Sequence, residues 1–353
     1  RPGLLAALLL LLVNPLYLAE SQILQADGPA VALTLLAIGL ALLWWRQPTG
    51  WRGTCWAALT GVTLVLSIFC KLLCATTLVP IALLLLARLW QIRRNPVAAG
   101  HQRWLPILVG IGSACVTALL IVLPFLGSWQ AAWDQVVTFH EVAQTVIADP
   151  LSSRLMLMQP ALFSFLALAA LFGTLTALVR RNWLVIPLLA WLLATFALLL
   201  HQVPLLAHHM VALEPPLIAL AVPGIAKPAT DKALISRWNV EISLNRLRGL
   251  AIAVMLITLA LNTYQDVHNY SVANATITSQ FVQQEVQIAS DLRQAITPEQ
   301  WVITDGQFVA GLADRDTPPS LVDTSTVRTT TGYVTLAKLE QAASDPRVHA
   351  VLF

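Results

Sequence analysis

The chain has 353 residues, of which 57% are hydrophobic and only 11% charged, with a formal net charge of +3. Soluble domains carry about 25% charged residues, so this composition excludes an ordinary soluble enzyme and indicates a membrane protein. The basic residues form short clusters and no stripe, which argues against nucleic acid as a partner. Cys55, Cys70, Cys74 and Cys115 lie in or beside apolar runs without metal-ligand spacing, and they read as small core hydrophobes.

Apolar runs of spanning length fall at 4–19, 29–45, 54–70, 72–90, 104–126, 158–179, 183–201, 206–225 and 249–264, about nine crossings. Basic residues in short loops stay cytoplasmic, so they fix sidedness. Arg46 and Arg52 fill one loop; Arg88, Arg93, Arg94 and Arg103 the next candidate; Arg180 and Arg181 a third; Lys227, Lys232, Arg237, Arg246 and Arg248 a fourth. The intervening loops hold only Lys71 and Arg154. This alternation places residues 265–353 outside the membrane.

The first outer loop centres on Asp27, a carboxylate at the mouth of two apolar segments, followed by Gly28 and by Pro29 at a first helical position. An acid in the bilayer core costs roughly 2.5–3.5 kcal/mol on insertion scales, so a retained one implies use, although an N-cap near the interface is the plainer reading. Lys71 is the basic residue of the second outer loop. It suits contact with an anion, or it snorkels to the interface. His140 and Glu141 lie in the third loop, while His201, His208 and His209 flank the fourth. In the third loop Trp129, Trp133, Val136, Val137 and His140 recur at helical spacing, which predicts a helix in the interface anchored by tryptophan.

Pro80, Pro124, Pro187, Pro204 and the pair Pro215-Pro216 break or kink the spans. Open backbone at membrane depth needs cover from protein or a wet cavity, so a cavity is expected on the outer side. Glu214 either lines it or is a structural acid with a partner. After the last span, a helix is expected over 276–296 with Phe281, Val282, Val286, Ile288 and Leu292 apolar, then strands at 301–305, 321–323 and 348–353 and a helix at 335–343. The predicted fold is an all-α polytopic membrane domain, residues 1–264, followed by a small extracytoplasmic α/β domain, residues 265–353.

Three places resemble the GT-C superfamily of polyprenyl-phosphate-sugar-dependent glycosyltransferases, nearest the bacterial relatives of protein mannosyltransferases and the lipid A aminoarabinose transferase. They are Ser21, Asp27 and Pro29 opening a long apolar helix; Lys71 followed by Thr76, Thr77 and Pro80; and the stretch from Pro204 through His208 and His209 to Pro216. The tail 313–325, with Arg328 and Gly332 after it, is similar to the tail of one bacterial branch.

The resemblance implies transfer of a sugar, with inversion, from a polyprenyl-phosphate donor to a lipid or protein acceptor at the outer face of the cell membrane. It implies donor-phosphate contacts at Lys71 and Asp27. It also implies a divalent metal held by Asp27 with His208 or His209, one of the pair only packing. The family's base, an acid after the first span, has no counterpart here; Glu20 is in the wrong context. Because the chain opens at Arg1 and closes on a strand in mid-course, a fragment is expected, with that base upstream of Arg1 and no turnover of its own. A secondary transporter would also show broken helices, and an outer-domain sensor or scaffold is a further alternative. Against the transporter, polar groups gather at the outer ends of spans and no paired half-repeats are seen. Against the sensor, the tail has no phosphate-cradling loop and no Cys/His or Ser/His/Asp set.

Overall fold

The computed structural model describes residues 2–22, 26–94, 104–225, 232–235, 240–277 and 280–352. Arg1, Arg103, Lys227, Arg237 and Phe353, which entered the expectations above, lie outside the described residues, as do the side chains of Glu20 and Phe281. Contacts divide the chain into two units: residues 1–127 with 150–266, and residues 128–149 with 267–353.

The first unit is helical. It runs α1 Pro2–Leu12, α2 Pro15–Gln22, α3 Asp27–Arg46, α4 Gly50–Cys70, a 3₁₀ segment Leu72–Thr77, α5 Leu78–Arg94 and α6 Trp104–Val122. After the excursion through residues 128–149 it resumes with α9 Leu151–Leu162, α10 Phe165–Val179, α11 Val185–His201, a 3₁₀ segment Ala207–Leu213, α12 Glu214–Ala221 and a 3₁₀ turn Val222–Ile225. Next come an antiparallel hairpin, β1 Lys232–Ile235 and β2 Val240–Ser243, and the long α13 Leu244–Ile277.

Among the described residues five helical stretches are long and apolar enough to cross a membrane, and α9 with α10, bent by 71°, makes a sixth if the pair is one span. The expected run at 4–19 is two short helices, because Pro15 removes a helical N–H and the chain turns at Asn14. The expected run at 206–225 is likewise broken, by the 3₁₀ segment before Glu214 and the proline pair. Its helix α12 is buried along nearly its whole length, at Glu214, Pro215, Pro216, Leu217, Ile218, Leu220 and Ala221. A helix apolar all round belongs inside a larger body, and α12 sits in the main core with Trp191, Met158 and Leu213.

Small residues let these helices close. A Cβ on Gly61 would stand 2.3 Å from the Gly110 carbonyl, and Ser113 Oγ donates across the same seam to Ala58 O at 2.9 Å. A Cβ on Gly173 would stand 2.0 Å from the Leu220 carbonyl, so α10 lies directly on α12. At the opposite ends, basic side chains satisfy the last carbonyls of helices. Arg88 lies over the Trp45 ring at 4.3 Å and donates to Trp45 O at 2.6 Å, and Arg248 donates to Ile225 O at 3.0 Å.

The second unit holds α7 Trp129–Trp133, a π turn Asp134–Thr138 and α8 Phe139–Val146, followed in its tail by α14 Gln280–Ala295, β3 Trp301–Thr304, α15 Gln307–Leu312, α16 Thr326–Thr330, α17 Leu336–Ala343 and β4 Val348–Leu352. Strands β3 and β4 pair in parallel, Val302 opposite Ala350 and Thr304 opposite Leu352. The strand expected at 321–323 is not formed. Pro318 and Pro319 cannot feed a ladder, and Pro319–Leu321 closes a 3₁₀ turn in which Leu321 N donates to Pro318 O at 2.8 Å.

The helix expected in the third loop exists and packs on the tail. Phe139 is buried with the Tyr333 ring edge-on at 5.1 Å and the Arg328 guanidinium over its face at 4.7 Å. Tyr333 Oη donates to Asp134 at 3.2 Å.

Candidate functional site

Asp27 opens α3, with Ala26 as the N-cap residue, so it lies one position inside the helix that it was expected to cap. An acid in the first turn complements the positive end of the helix. Gly28 permits a close approach by α2: a Cβ there would stand 3.1 Å from Ser21 Cα. Asp27 is buried at 3% exposure, and a carboxylate so placed requires a partner.

Lys71 supplies it. The residue is the break between α4 and the 3₁₀ segment Leu72–Thr77, in extended backbone at φ −152° and ψ 120°. That break throws its side chain sideways instead of along the helix. Lys71 Nζ lies 2.7 Å from Asp27 Oδ1 and 2.7 Å from Oδ2, with the lysine side chain 20% and the aspartate side chain 4% exposed. Two lone charges, 44 residues apart, thus form one buried ion pair.

The pair forms the polar end of a narrow crevice with a cavity volume of about 10 Å³. Ala30 and Val31 of α3, Leu73 and Cys74 of the 3₁₀ segment, and Val211 and Ala212 of the second 3₁₀ segment make the rest of its wall. Small-molecule pockets usually measure about 300–1,000 Å³, so in this conformation the crevice has room for about one water molecule, and a head group would enter only if its walls part. Chemically it offers one ammonium group, one carboxylate and apolar walls.

The histidine pair separates into two roles. His209 is buried, and its Nδ1 accepts from Leu206 N–H at 3.2 Å, so it is used within its own turn. His208, edge-on to His209 with ring centroids 4.3 Å apart, is half-buried and within electrostatic reach of both Lys71 and Asp27. Among the described residues no group of three or more His, Cys, Asp or Glu side chains is placed to hold a metal.

Glu214, the first residue of α12, has a partner that the sequence reading did not single out. Asn14 Nδ2 donates to Glu214 Oε2 at 2.6 Å, both residues being 5% exposed, while Asn14 Oδ1 accepts from Tyr17 N–H at 2.8 Å. The available signal was a lone amide before a proline inside an apolar run. His140 belongs to the second unit, exposed on α8 with its ring 5.2 Å from that of Phe139. His201 ends α11 and is exposed.

Neither curated proteins nor solved structures yield a match. Residues 2–140, which include both Asp27 and Lys71, match the family model described as dolichyl-phosphate-mannose-protein mannosyltransferase. That model is a domain of the GT-C kind, so this stretch is similar to a GT-C membrane glycosyltransferase domain.

Proposed function

We propose that this chain takes part in sugar transfer from a polyprenyl-phosphate donor to a protein or lipid acceptor at the outer face of the cell membrane. The observation that carries the reading is the buried Asp27–Lys71 pair at the head of an otherwise apolar crevice, inside the matched region. An isoprenoid phosphate has the same division, an anionic head on a hydrocarbon chain. The alternation of basic loops supports the outer placement, with the tail on the same side.

In this reading the Asp27 carboxylate holds the Lys71 side chain aimed at the crevice. When donor enters, Lys71 Nζ turns to its phosphate, which is the leaving group. The bond from the sugar's anomeric carbon to the phosphate oxygen breaks, and the phosphate takes the electron pair. A bond forms from that carbon to the acceptor hydroxyl oxygen on the opposite face, the O–H bond breaks with its proton passing to water, and configuration inverts. Charge developing on the phosphate meets a fixed cation that needs no rearrangement of water, which is where electrostatic catalysis is strongest. His208, within electrostatic reach of both charges, is a further candidate to contact the same phosphate.

The test is binding of a labelled polyprenyl-phosphate sugar by membranes carrying the protein, a readout that does not require turnover. Loss in Lys71→Ala and Asp27→Asn at unchanged protein level is expected. Binding that persists in both variants, or is absent in the parent protein, contradicts the proposal.

A further inference from the structure

From the Asn14–Glu214 contact we infer that these two residues are positioning residues for the crevice, setting its third wall against Asp27 and Lys71. The inference rests on the reading of the crevice as the donor-phosphate seat only for its effect on binding; its structural half stands without that reading.

Glu214 directly follows the Ala207–Leu213 segment, whose Val211 and Ala212 line the crevice. The backbone there is 3₁₀ and then proline-bearing, so it lacks the continuous hydrogen-bond ladder that would hold a helix in place by itself. Its far end is tied through Glu214 to Asn14, 200 residues away in sequence, by a short buried bond.

Asn14 in turn fixes the start of α2 through Tyr17 N–H, and α2 ends against Gly28 at the neighbour of Asp27. One amide therefore joins the turn that carries His208 to the helix that abuts Asp27. Neither residue touches the crevice, so neither is catalytic. A glutamine at 214 keeps an oxygen that can accept from Asn14, whereas an alanine does not.

Cys74 is a built-in reporter, because it is buried and lies on the wall facing Val211 and Ala212. With Cys55, Cys70 and Cys115 changed to serine, the rate of Cys74 labelling by N-ethylmaleimide reads the closure of that wall. Glu214→Ala and Asn14→Ala are each expected to raise the rate about tenfold, the scale of one buried hydrogen bond, with the double variant no faster than either. Glu214→Gln is expected to stay within about twofold of the parent. The Kd for polyprenyl phosphate should rise by a similar factor in the alanine variants and recover in Glu214→Gln.

Labelling rates that do not move, or that multiply in the double variant, overturn the inference. If Glu214→Ala is not recovered from membranes, Asn14→Ala and Asn14→Ser make the same comparison, and an unmoved rate in both overturns it equally. Should labelling respond as stated while the parent protein binds no polyprenyl phosphate, the donor reading fails and the positioning role remains.

Discussion

The two units of this molecule handle charge in opposite ways. In the second unit the ion pairs are local and wet: Asp345 with Arg347, two residues apart, and Asp323 with Arg328, five apart. In the first, two polar contacts at least partly buried join distant segments: Asp27 with Lys71 across 44 residues and Asn14 with Glu214 across 200. The physical reason is solvation. A charge near water needs no partner to be tolerated, and an exposed pair adds little. A charge inside an apolar bundle must find a partner from whichever helix brings one, so its pairing also fixes which helices are neighbours. In the membrane unit, polar residues are thus the tertiary instructions; in the tail they are mostly surface.

If that contrast is right, the largest effect comes from breaking the Asp27–Lys71 pair. Lys71→Ala leaves a buried carboxylate alone and is expected to destabilise by about 3 kcal/mol, near the low end of the usual cost because the lysine is partly exposed. The double change Asp27→Leu, Lys71→Met removes both charges and should recover most of that stability but none of the phosphate binding. Thermal unfolding in detergent, followed by the tryptophan signal, separates the two outcomes.

Overpacking comes next. Gly173→Ala forces a methyl to within 2.0 Å of the Leu220 carbonyl, so α10 and α12 must part, at a cost of about 1–3 kcal/mol. An unchanged midpoint would show that these helices do not lie in contact.

The tail has one exception to its surface habit, and it ranks third. Arg315 is buried and donates to the carbonyls of Ile296, Ala313, Asp314 and Arg293, stitching the end of α14 to the turn after α15. Arg315→Met should destabilise by about 2 kcal/mol by stranding those acceptors. Hydrogen exchange in the full protein should show the loss at α14 and β3 and not in α3 or α4.

The smallest effect concerns the exposed pair. Hydrogen bonds from Arg347 hold the Asp345 carboxyl down from 3.8 to about 2. A depressed folded-state value contributes stability above pH 3.8 that is lost as pH falls through about 2. Asp345→Asn is therefore expected to lower the neutral-pH midpoint only slightly, by the same small amount that it removes from the decline between those two pH values. A clear loss at pH 7 would remove the distinction between the two units.

Much of this was legible in the residues. Helix α3 follows from an apolar run bounded by Asp27 and Arg46, and α17 from Thr335, whose hydroxyl accepts from Lys338 N–H as its N-cap. Asp27 and Lys71 stood out because each is a lone charge among apolar neighbours. Their pairing did not, since no one-dimensional period relates a helix start to a helix break 44 residues on. Asn14 was hidden because a single amide barely dents a hydropathy average, although its place before Pro15 marks both a cap and a kink. Which histidine matters was also invisible, because only the fold of the 207–213 turn engages the His209 ring with Leu206. The hairpin at 232–243 was read only as a basic loop, yet Val240, Glu241 and Ile242 alternate as a strand does.

The most direct test of the central claim compares two lipids on the purified protein in nanodiscs, polyprenyl phosphate and the corresponding uncharged polyprenol. If the Asp27–Lys71 crevice seats a phosphate, the parent protein should prefer the phosphate lipid by about 100-fold, and Lys71→Ala should reduce that preference to less than about tenfold. Equal affinity for the two lipids in the parent protein, or an undiminished preference in Lys71→Ala, would contradict it.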